Sequence, residues 1–176
     1  MAVTFQSLDQ TLTGPLTLTS RPGFARGLAT ALAHSGDIYV WAGLMVLAWF
    51  FAGEQWKTPA AVVVAGLLLG EVAVVGIKMV VRRQRPPGTG GLIYRKTDPF
   101  SFPSGHAARA TMLCLLAWHF GPLAAFVGIV VWSPFMVLSR IAIGIHYVFD
   151  VLAGFVLGWL LTLLLLALVP VVQRWL

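Results

Sequence analysis

Charged side chains are scarce in this sequence: twelve Lys and Arg and six Asp and Glu make up only 10% of its 176 residues. A soluble globular domain carries about 25% charged residues to cover its surface. The scarcity therefore excludes an ordinary soluble protein, and the 59% hydrophobic content places the chain in a membrane. The length allows one domain, residues 1–176, and the long apolar stretches predict an all-α bundle of membrane helices.

Cysteine and carboxylates are also rare. The single cysteine, Cys114, lies inside an apolar run, which excludes an intramolecular disulfide and suits a small buried hydrophobic residue. The six carboxylates form no cluster along the sequence that could hold Mg²⁺, so we expect no metal and no cofactor. The net charge of +6 could attract nucleic acid, but the cations form no stripe with interleaved aromatics, and we expect no such partner.

Five apolar stretches organise most of the chain. They cover about residues 38–53, 59–81, 106–120, 122–138 and 148–169. A membrane span needs about 20 apolar residues, so the prediction is about five spans, of which the first and third are short. Residues 1–36 are predicted as an interfacial segment, because Phe24, Leu28 and Leu32 share one helical face. A plain linker into the first span is the alternative.

Polar residues concentrate in three short segments at the ends of these stretches. The segments are Lys78-Met-Val-Val-Arg-Arg-Gln-Arg85-Pro86, Pro103-Ser104-Gly105-His106 and Ser139-Arg140-Ile-Ala-Ile-Gly-Ile-His146-Tyr-Val-Phe-Asp150. Counting the crossings puts all three on one face of the membrane. The connection 82–104 is rich in Arg, Pro and Gly, and such irregular backbone cannot face lipid. We therefore predict one polar site at that face, with residues 82–104 forming the loop over it.

The cations of these segments suit the binding of a phosphate group. Lys78 and Arg85 are seven residues apart, two helical turns, and so point the same way. The planar fork of Arg140 suits bidentate contact with phosphate oxygens. The common alternative for such cations is snorkelling toward lipid headgroups, and we adopt that interpretation for Arg82 and Arg83.

The histidines add a reactive group to these cations. His146 and Asp150 are four residues apart and lie on one helical face, where the carboxylate can fix the tautomer and leave the other ring nitrogen free to attack phosphorus. Ser104 and Gly105 precede His106 at a predicted helix start, where free backbone N–H groups attract an anion. A histidine near a membrane interface is more often a satisfied polar residue, but the paired spacing favours chemistry here.

The order and spacing of the segments resemble the type 2 phosphatidic acid phosphatase superfamily, whose signature is K-x6-RP, then PSGH, then SR-x5-H-x3-D. All three parts match without a gap. The resemblance implies that His106 protonates the leaving group and that His146, oriented by Asp150, forms a phosphohistidine. The residues expected to hold the phosphate are Lys78, Arg85, Ser104, Gly105 and Arg140.

The predicted activity is metal-independent removal of the terminal phosphate from a lipid phosphate or pyrophosphate. Phosphatidylglycerol phosphate, phosphatidic acid, undecaprenyl pyrophosphate and lipid A phosphate all stay open as substrates, and membrane lipids are the other expected partners. The alternatives are a lipid-to-lipid phosphotransferase and a non-catalytic binder of lipid phosphates. Intact His106, His146 and Asp150 favour catalysis, because binding alone needs only the cations. The sequence leaves the oligomeric state open.

Two features bear on which face of the membrane carries the site, and they disagree. Most cations lie on the side of the polar segments, which the positive-inside rule would place in the cytoplasm. The resemblance points to the outer leaflet of a bacterial inner membrane instead. We predict the extracytoplasmic face, with Leu176 at the cytoplasmic end of the last span.

Polar residues outside the signature carry weaker expectations. Glu71 is an ionisable residue inside a predicted span, which indicates a pairing or lipid-pocket role. Arg109 follows His106 by about one helical turn and is expected to bond locally rather than to touch substrate. Tyr94, Arg95 and Asp98 in the covering loop are candidates for contact with a lipid headgroup.

Overall fold

The computed structural model describes residues 5–18, 23–87 and 98–173, and this part of the chain forms seven α-helices. They are α1 (Phe5–Thr13), α2 (Phe24–Ser35), α3 (Ile38–Phe51), α4 (Lys57–Val81), α5 (Gly105–Phe120), α6 (Leu123–Ala142) and α7 (Val148–Gln173). The predicted all-α class is confirmed, and α3 to α7 coincide with the five predicted apolar stretches. Tyr94, Arg95 and Leu176 lie outside the described residues.

Within the described part of the chain, three helical segments are long and apolar enough to cross a membrane: Glu54–Val81, Leu123–Ala142 and Val148–Pro170. The pair α2 and α3, bent by 50° at the break between them, qualifies together as a fourth. At 16 residues, α5 is shorter than the roughly 20 that a span needs. The membrane bundle is thus confirmed, while the number of five spans stays a prediction.

Glycines bring α5 and α7 into close contact. A Cβ atom on Gly154 would lie 2.5 Å from the carbonyl oxygen of Ser104, and one on Gly158 would lie 2.3 Å from that of Ala108. Any side chain at these positions would push the helices apart, as at other small-residue contacts between membrane helices. The close approach fixes the first turn of α5 beside the first turn of α7, where two of the polar segments lie.

The N-terminal helix α1 caps the start of α7. The hydroxyl oxygen of Thr13 accepts a hydrogen bond from the Val148 N–H (3.2 Å), and the Asp9 Oδ1 atom accepts one from the Phe149 N–H (3.2 Å). These N–H groups have no acceptor within their own helix, so α1 supplies it. Asp9 is fully buried as a result.

Helix α2 contains the residues predicted to lie on the membrane surface. Phe24 is 87% exposed and Leu28 is 50% exposed, while Ala29 and Ala33 on the opposite side are buried in a cluster with residues 143 and 145. The helix thus has one free apolar face and one packed face. Its location at the membrane interface stays a prediction.

Candidate active site

The three polar segments meet at one end of the bundle. The Ser104 N–H donates to the carbonyl oxygen of Asp150 (2.9 Å), which joins the second segment to the third. Arg85 Nη1 donates to the carbonyl oxygen of Ile145 (2.7 Å), which joins the first segment to the third. All residues of the predicted phosphate site therefore belong to one connected cluster.

His146 and Asp150 face each other at the start of α7. The Nδ1 atom of His146 lies 3.7 Å from the Asp150 Oδ2 atom, which is an ion-pair distance and slightly too long for a hydrogen bond. His146 is 1% exposed. Its burial and the positive charges of Arg85 and Arg140 lower the pKa of His146 to about 4, although Asp150 acts in the opposite direction. The ring is therefore neutral at neutral pH, as a nucleophile must be.

Arg83 holds Asp150 in place, which corrects the prediction that Arg83 snorkels toward headgroups. Its Nη1 atom bonds Asp150 Oδ1 (2.7 Å), and its Nη2 atom bonds Asp9 Oδ2 (2.6 Å). The guanidinium also lies 4.2 Å from the centre of the Tyr147 ring. The side chain is only 17% exposed. The cation binds two buried carboxylates instead of lipid headgroups. Arg82, by contrast, is exposed as expected.

Lys78 and Arg85 share one carboxylate, that of Asp98. The Asp98 Oδ2 atom accepts hydrogen bonds from Lys78 Nζ and from Arg85 Nη2, the latter at 2.8 Å. Arg85 Nε also donates to the Asp98 backbone carbonyl (2.8 Å). Both cations are buried, while the Asp98 side chain is 39% exposed. Asp98 thus bonds the two cations that are predicted to bind phosphate, whereas its position in the loop made it a candidate for contact with a lipid headgroup.

Arg140 lies in the last turn of α6 and is 2% exposed. Burial is the main effect that disfavours protonation of His106 and His146, and the positive charge of Arg140 acts on both rings in the same direction. The role of Arg140 in phosphate binding stays a prediction.

Ser104 and Gly105 begin α5 as predicted. Ser104 is the N-cap residue, and its hydroxyl accepts a hydrogen bond from the Ala107 N–H (3.4 Å). A Cβ atom on Gly105 would lie 3.3 Å from Val74, so the glycine also lets α4 approach this turn. The remaining N–H groups of the first turn are free to meet an anion.

His106 has a partner that the motif did not indicate. Its Nε2 atom lies 2.9 Å from the Oδ1 atom of Asp37, in the break between α2 and α3. Nearby, Arg109 bonds the Gly36 carbonyl and, at 3.0 Å, the Glu71 carboxylate. Arg109 therefore bonds neighbouring groups of the protein, which are 73 and 38 residues away in sequence, and Glu71 has the paired role indicated for it.

Sequence reasoning missed Asp9, Asp37 and the role of Arg83. Asp37 and His106 are 69 residues apart, and Arg83 and Asp9 are 74 residues apart. No local spacing joins such pairs. The one available signal is that Asp9 and Asp37 are two of only six carboxylates in an apolar chain, where an acidic residue needs a partner.

Comparison with known proteins identifies the family. The sequence model of the PAP2 superfamily matches residues 59–174. The chain belongs to the PAP2 superfamily. It is 36% identical over 144 residues, covering 80% of this chain and 78% of the relative, to decaprenylphosphoryl-5-phosphoribose phosphatase of Mycobacterium tuberculosis.

Two crystal structures share the fold. LpxE of Aquifex aeolicus superposes with a TM-score of 0.68 at 21% identity, covering 95% of this chain and 96% of the other. A transmembrane PAP2-type phosphatidylglycerolphosphate phosphatase of Bacillus subtilis superposes with a TM-score of 0.67 at 25% identity, covering 96% and 88%. The bundle described above is therefore the fold of the family, and the resemblance noted in the three segments is confirmed.

Proposed function

We propose that this protein is a membrane phosphatase that removes the terminal phosphate of a lipid phosphate or pyrophosphate through a phosphohistidine, without a metal. The observation that carries the proposal is the buried His146, whose Nδ1 atom lies 3.7 Å from the Asp150 carboxylate and whose protonation is disfavoured by burial and by the charges of Arg85 and Arg140. A neutral imidazole beside two cations attracts an anionic phosphate and can attack it. A pure binding site would need only the cations.

In the first step, Lys78, Arg85 and Arg140 neutralise the phosphate oxygens, together with N–H groups of the first turn of α5. The Nε2 atom of His146 attacks phosphorus, the N–P bond forms, and the bond to the leaving oxygen breaks in line. Asp150 stabilises the positive charge that develops on the ring. His106 gives its proton to the leaving oxygen, so the leaving group departs protonated: a lipid alcohol from a lipid phosphate, or a lipid monophosphate from a pyrophosphate.

In the second step, water replaces the departed lipid. His106, now neutral, accepts a proton from this water as its oxygen attacks the phosphorus of the phosphohistidine. The N–P bond breaks, inorganic phosphate is released, and His106 is again protonated for the next cycle. One pair of histidines therefore serves both steps without a metal-bound hydroxide.

The charge pattern supports a site that works without a metal. Each of Asp37, Asp98 and Asp150 faces a histidine or a basic side chain of the predicted site. Mg²⁺ needs free carboxylate oxygens together with water. In this site, cationic side chains occupy the role that a metal plays in other phosphoryl-transfer enzymes.

For the substrate, we propose a phosphate on a long-chain lipid, and we rank a polyprenyl-linked sugar phosphate first. The support is the relative that is named decaprenylphosphoryl-5-phosphoribose phosphatase, which matches over 80% of this chain. Phosphate release from purified protein in detergent, measured across polyprenyl and diacylglycerol phosphates, would rank these lipids. Transfer of label to a second lipid in place of phosphate release would indicate the phosphotransferase instead.

The mechanism is tested by trapping the intermediate. Acid-labile, base-stable labelled phosphate should appear on the protein after rapid mixing with ³²P-labelled substrate, and it should be absent from His146→Ala. His119→Ala is the matched control, because the His119 ring makes an edge-to-face contact with Phe120 at the opposite end of α5 and its loss should leave labelling unchanged. Turnover by His146→Ala at the wild-type rate would remove His146 from the role of nucleophile.

A further inference from the structure

The break between α2 and α3 is built against His106. Asp37 is 8% exposed, and its Oδ1 atom lies 2.9 Å from His106 Nε2. Its Oδ2 atom accepts hydrogen bonds from the Tyr39 hydroxyl (2.5 Å) and from His34 Nδ1 (2.9 Å). One carboxylate oxygen is thus fixed by neighbours on its own segment, and the other is left to the histidine of α5.

Gly36 packs closely against the His106 ring. A Cβ atom there would lie 3.0 Å from His106 Cδ2 and 2.5 Å from the Met136 sulfur, so a larger residue would crowd the ring and require the Met136 side chain to move. The Gly36 carbonyl also accepts a hydrogen bond from Arg109. The segment is therefore held on both sides of Asp37, which gives the carboxylate a defined position toward the ring.

His106 needs a carboxylate, because other nearby charges oppose its protonation. The positive charges of Arg140 and Arg109 both act on the ring, and the ring is buried. Each of these effects disfavours the imidazolium that a general acid requires. The anionic Asp37 is the group in contact with the ring that favours it.

We propose that Asp37 is a positioning residue for the general acid: it accepts the Nε2 proton of His106, stabilises the imidazolium and leaves the Nδ1 proton for the leaving oxygen. The proposal rests on the proposed function, in which His106 is that acid. It adds a second histidine–carboxylate pair, supplied by a segment of the chain that precedes all three polar segments.

Substrates with different leaving groups distinguish a role of Asp37 in acid catalysis from a purely structural role. An alkoxide leaving from a lipid phosphate needs a proton, whereas p-nitrophenolate leaves from p-nitrophenyl phosphate without one. For Asp37→Asn we expect a 10- to 100-fold lower kcat/KM on a lipid phosphate, less than the roughly 10²- to 10⁴-fold of general acid catalysis because the ring itself remains. We expect less than a threefold change in kcat/KM on the aryl substrate. The ratio kcat/KM is compared because it reports only the steps up to loss of the leaving group, whereas hydrolysis of the phosphohistidine is common to both substrates. Asp37→Glu should recover part of the loss.

The double variant His106→Ala/Asp37→Asn tests whether Asp37 acts through the His106 ring. Adding Asp37→Asn to His106→Ala should cause no further loss, because the carboxylate acts only through the ring. Glu54→Gln is the matched control, since it removes an exposed carboxylate at the far end of α4 and should leave both substrates unaffected. If Asp37→Asn does not fold, Tyr39→Phe, which loosens the carboxylate, should give a smaller loss on the lipid substrate alone.

The outcomes distinguish a failure of the role of Asp37 from a failure of the general-acid assignment of His106. An equal loss of kcat/KM on both substrates, or an equal loss in the His106→Ala background, would overturn the role of Asp37 and leave His106 as the acid. Wild-type turnover of lipid phosphate by His106→Ala would instead overturn the general-acid assignment, and the role of Asp37 would fall with it.

Discussion

Asp98 is expected to compete with phosphate for Lys78 and Arg85. Its carboxylate bonds both cations, whose side chains are only 7% and 1% exposed, while its own side chain is 39% exposed. A phosphate that binds these cations as proposed must displace this carboxylate. The variant Asp98→Asn keeps the size of the side chain and the backbone carbonyl that Arg85 Nε contacts, but removes the competing charge.

The size of the effect follows from the contacts that are lost. A hydrogen bond to a charged group contributes about 1.5–3 kcal/mol when buried, and an exposed ion pair about 0–1 kcal/mol. Asp98 is intermediate in exposure, so its displacement costs about 1–2 kcal/mol. At 1.4 kcal/mol for each factor of ten, Asp98→Asn should bind phosphate about 5- to 30-fold more tightly.

The assay is competitive inhibition of substrate hydrolysis by inorganic phosphate and by vanadate. The Ki of both anions should fall in Asp98→Asn and stay unchanged in Glu54→Gln, whose carboxylate pairs with Lys57 at the other end of α4. A higher Ki in Asp98→Asn would refute the reasoning, because it would mean that Asp98 orients the cations for phosphate. An unchanged Ki would mean that phosphate does not bind at these cations.

Three further predictions follow from the same contacts. Arg83→Met should lower the free energy of unfolding by about 3–5 kcal/mol, because it leaves Asp9 and Asp150 buried without their cation; a thermal melt in detergent that matches the one for the exposed Arg82→Met would contradict this. Activity should be retained in excess EDTA, and loss on chelation that Mg²⁺ restores would overturn a site built on cations alone. A reporter fused after Leu176 should show a cytoplasmic C-terminus, and alkaline phosphatase activity there would place the active site in the cytoplasm.

The sequence predicted the parts of the fold that depend on local pattern. Apolar runs located α3 to α7, and the Pro-Ser-Gly sequence located the start of α5 at Ser104. The number of spans could not be settled, because length alone does not decide whether the 16-residue α5 crosses the membrane. The close contact of α5 and α7 was also not predicted, since Gly154 and Gly158 look like ordinary residues of an apolar run.

The site was predictable as far as its residues lie in short segments. Lys78, Arg85 and Arg140 were named from their places at the ends of apolar stretches, their chemistry and the resemblance of the three segments to the superfamily signature, and the structure brings all three to one end of the bundle. Their partners could not be named, because the Asp98 carboxylate reaches Lys78 across 20 residues and the Asp37 carboxylate reaches His106 across 69. Such pairs are set by packing, which a spacing rule does not contain.

Charge balance explains how so many cations can be buried in so apolar a protein. Five of the six carboxylates in the chain lie at the active end, all but the exposed Glu54. They are Asp9, Asp37, Glu71, Asp98 and Asp150, and each contacts a cation or a histidine. Without them, burial of the cations would cost several kcal/mol for each ion.

The balance between cations and carboxylates also determines which carboxylate a substrate phosphate can displace. Asp9 and Asp150 are fully buried, so separating them from Arg83 would leave two buried carboxylates without a compensating charge. The Asp98 side chain is 39% exposed, so it can move into water at a smaller cost. A phosphate that takes the place of Asp98 on Lys78 and Arg85 restores neutrality in the same position. Exchange of the Asp98 carboxylate for a ligand favours an anion that stays ionised at neutral pH. The site should therefore bind a terminal phosphate more tightly than a neutral headgroup.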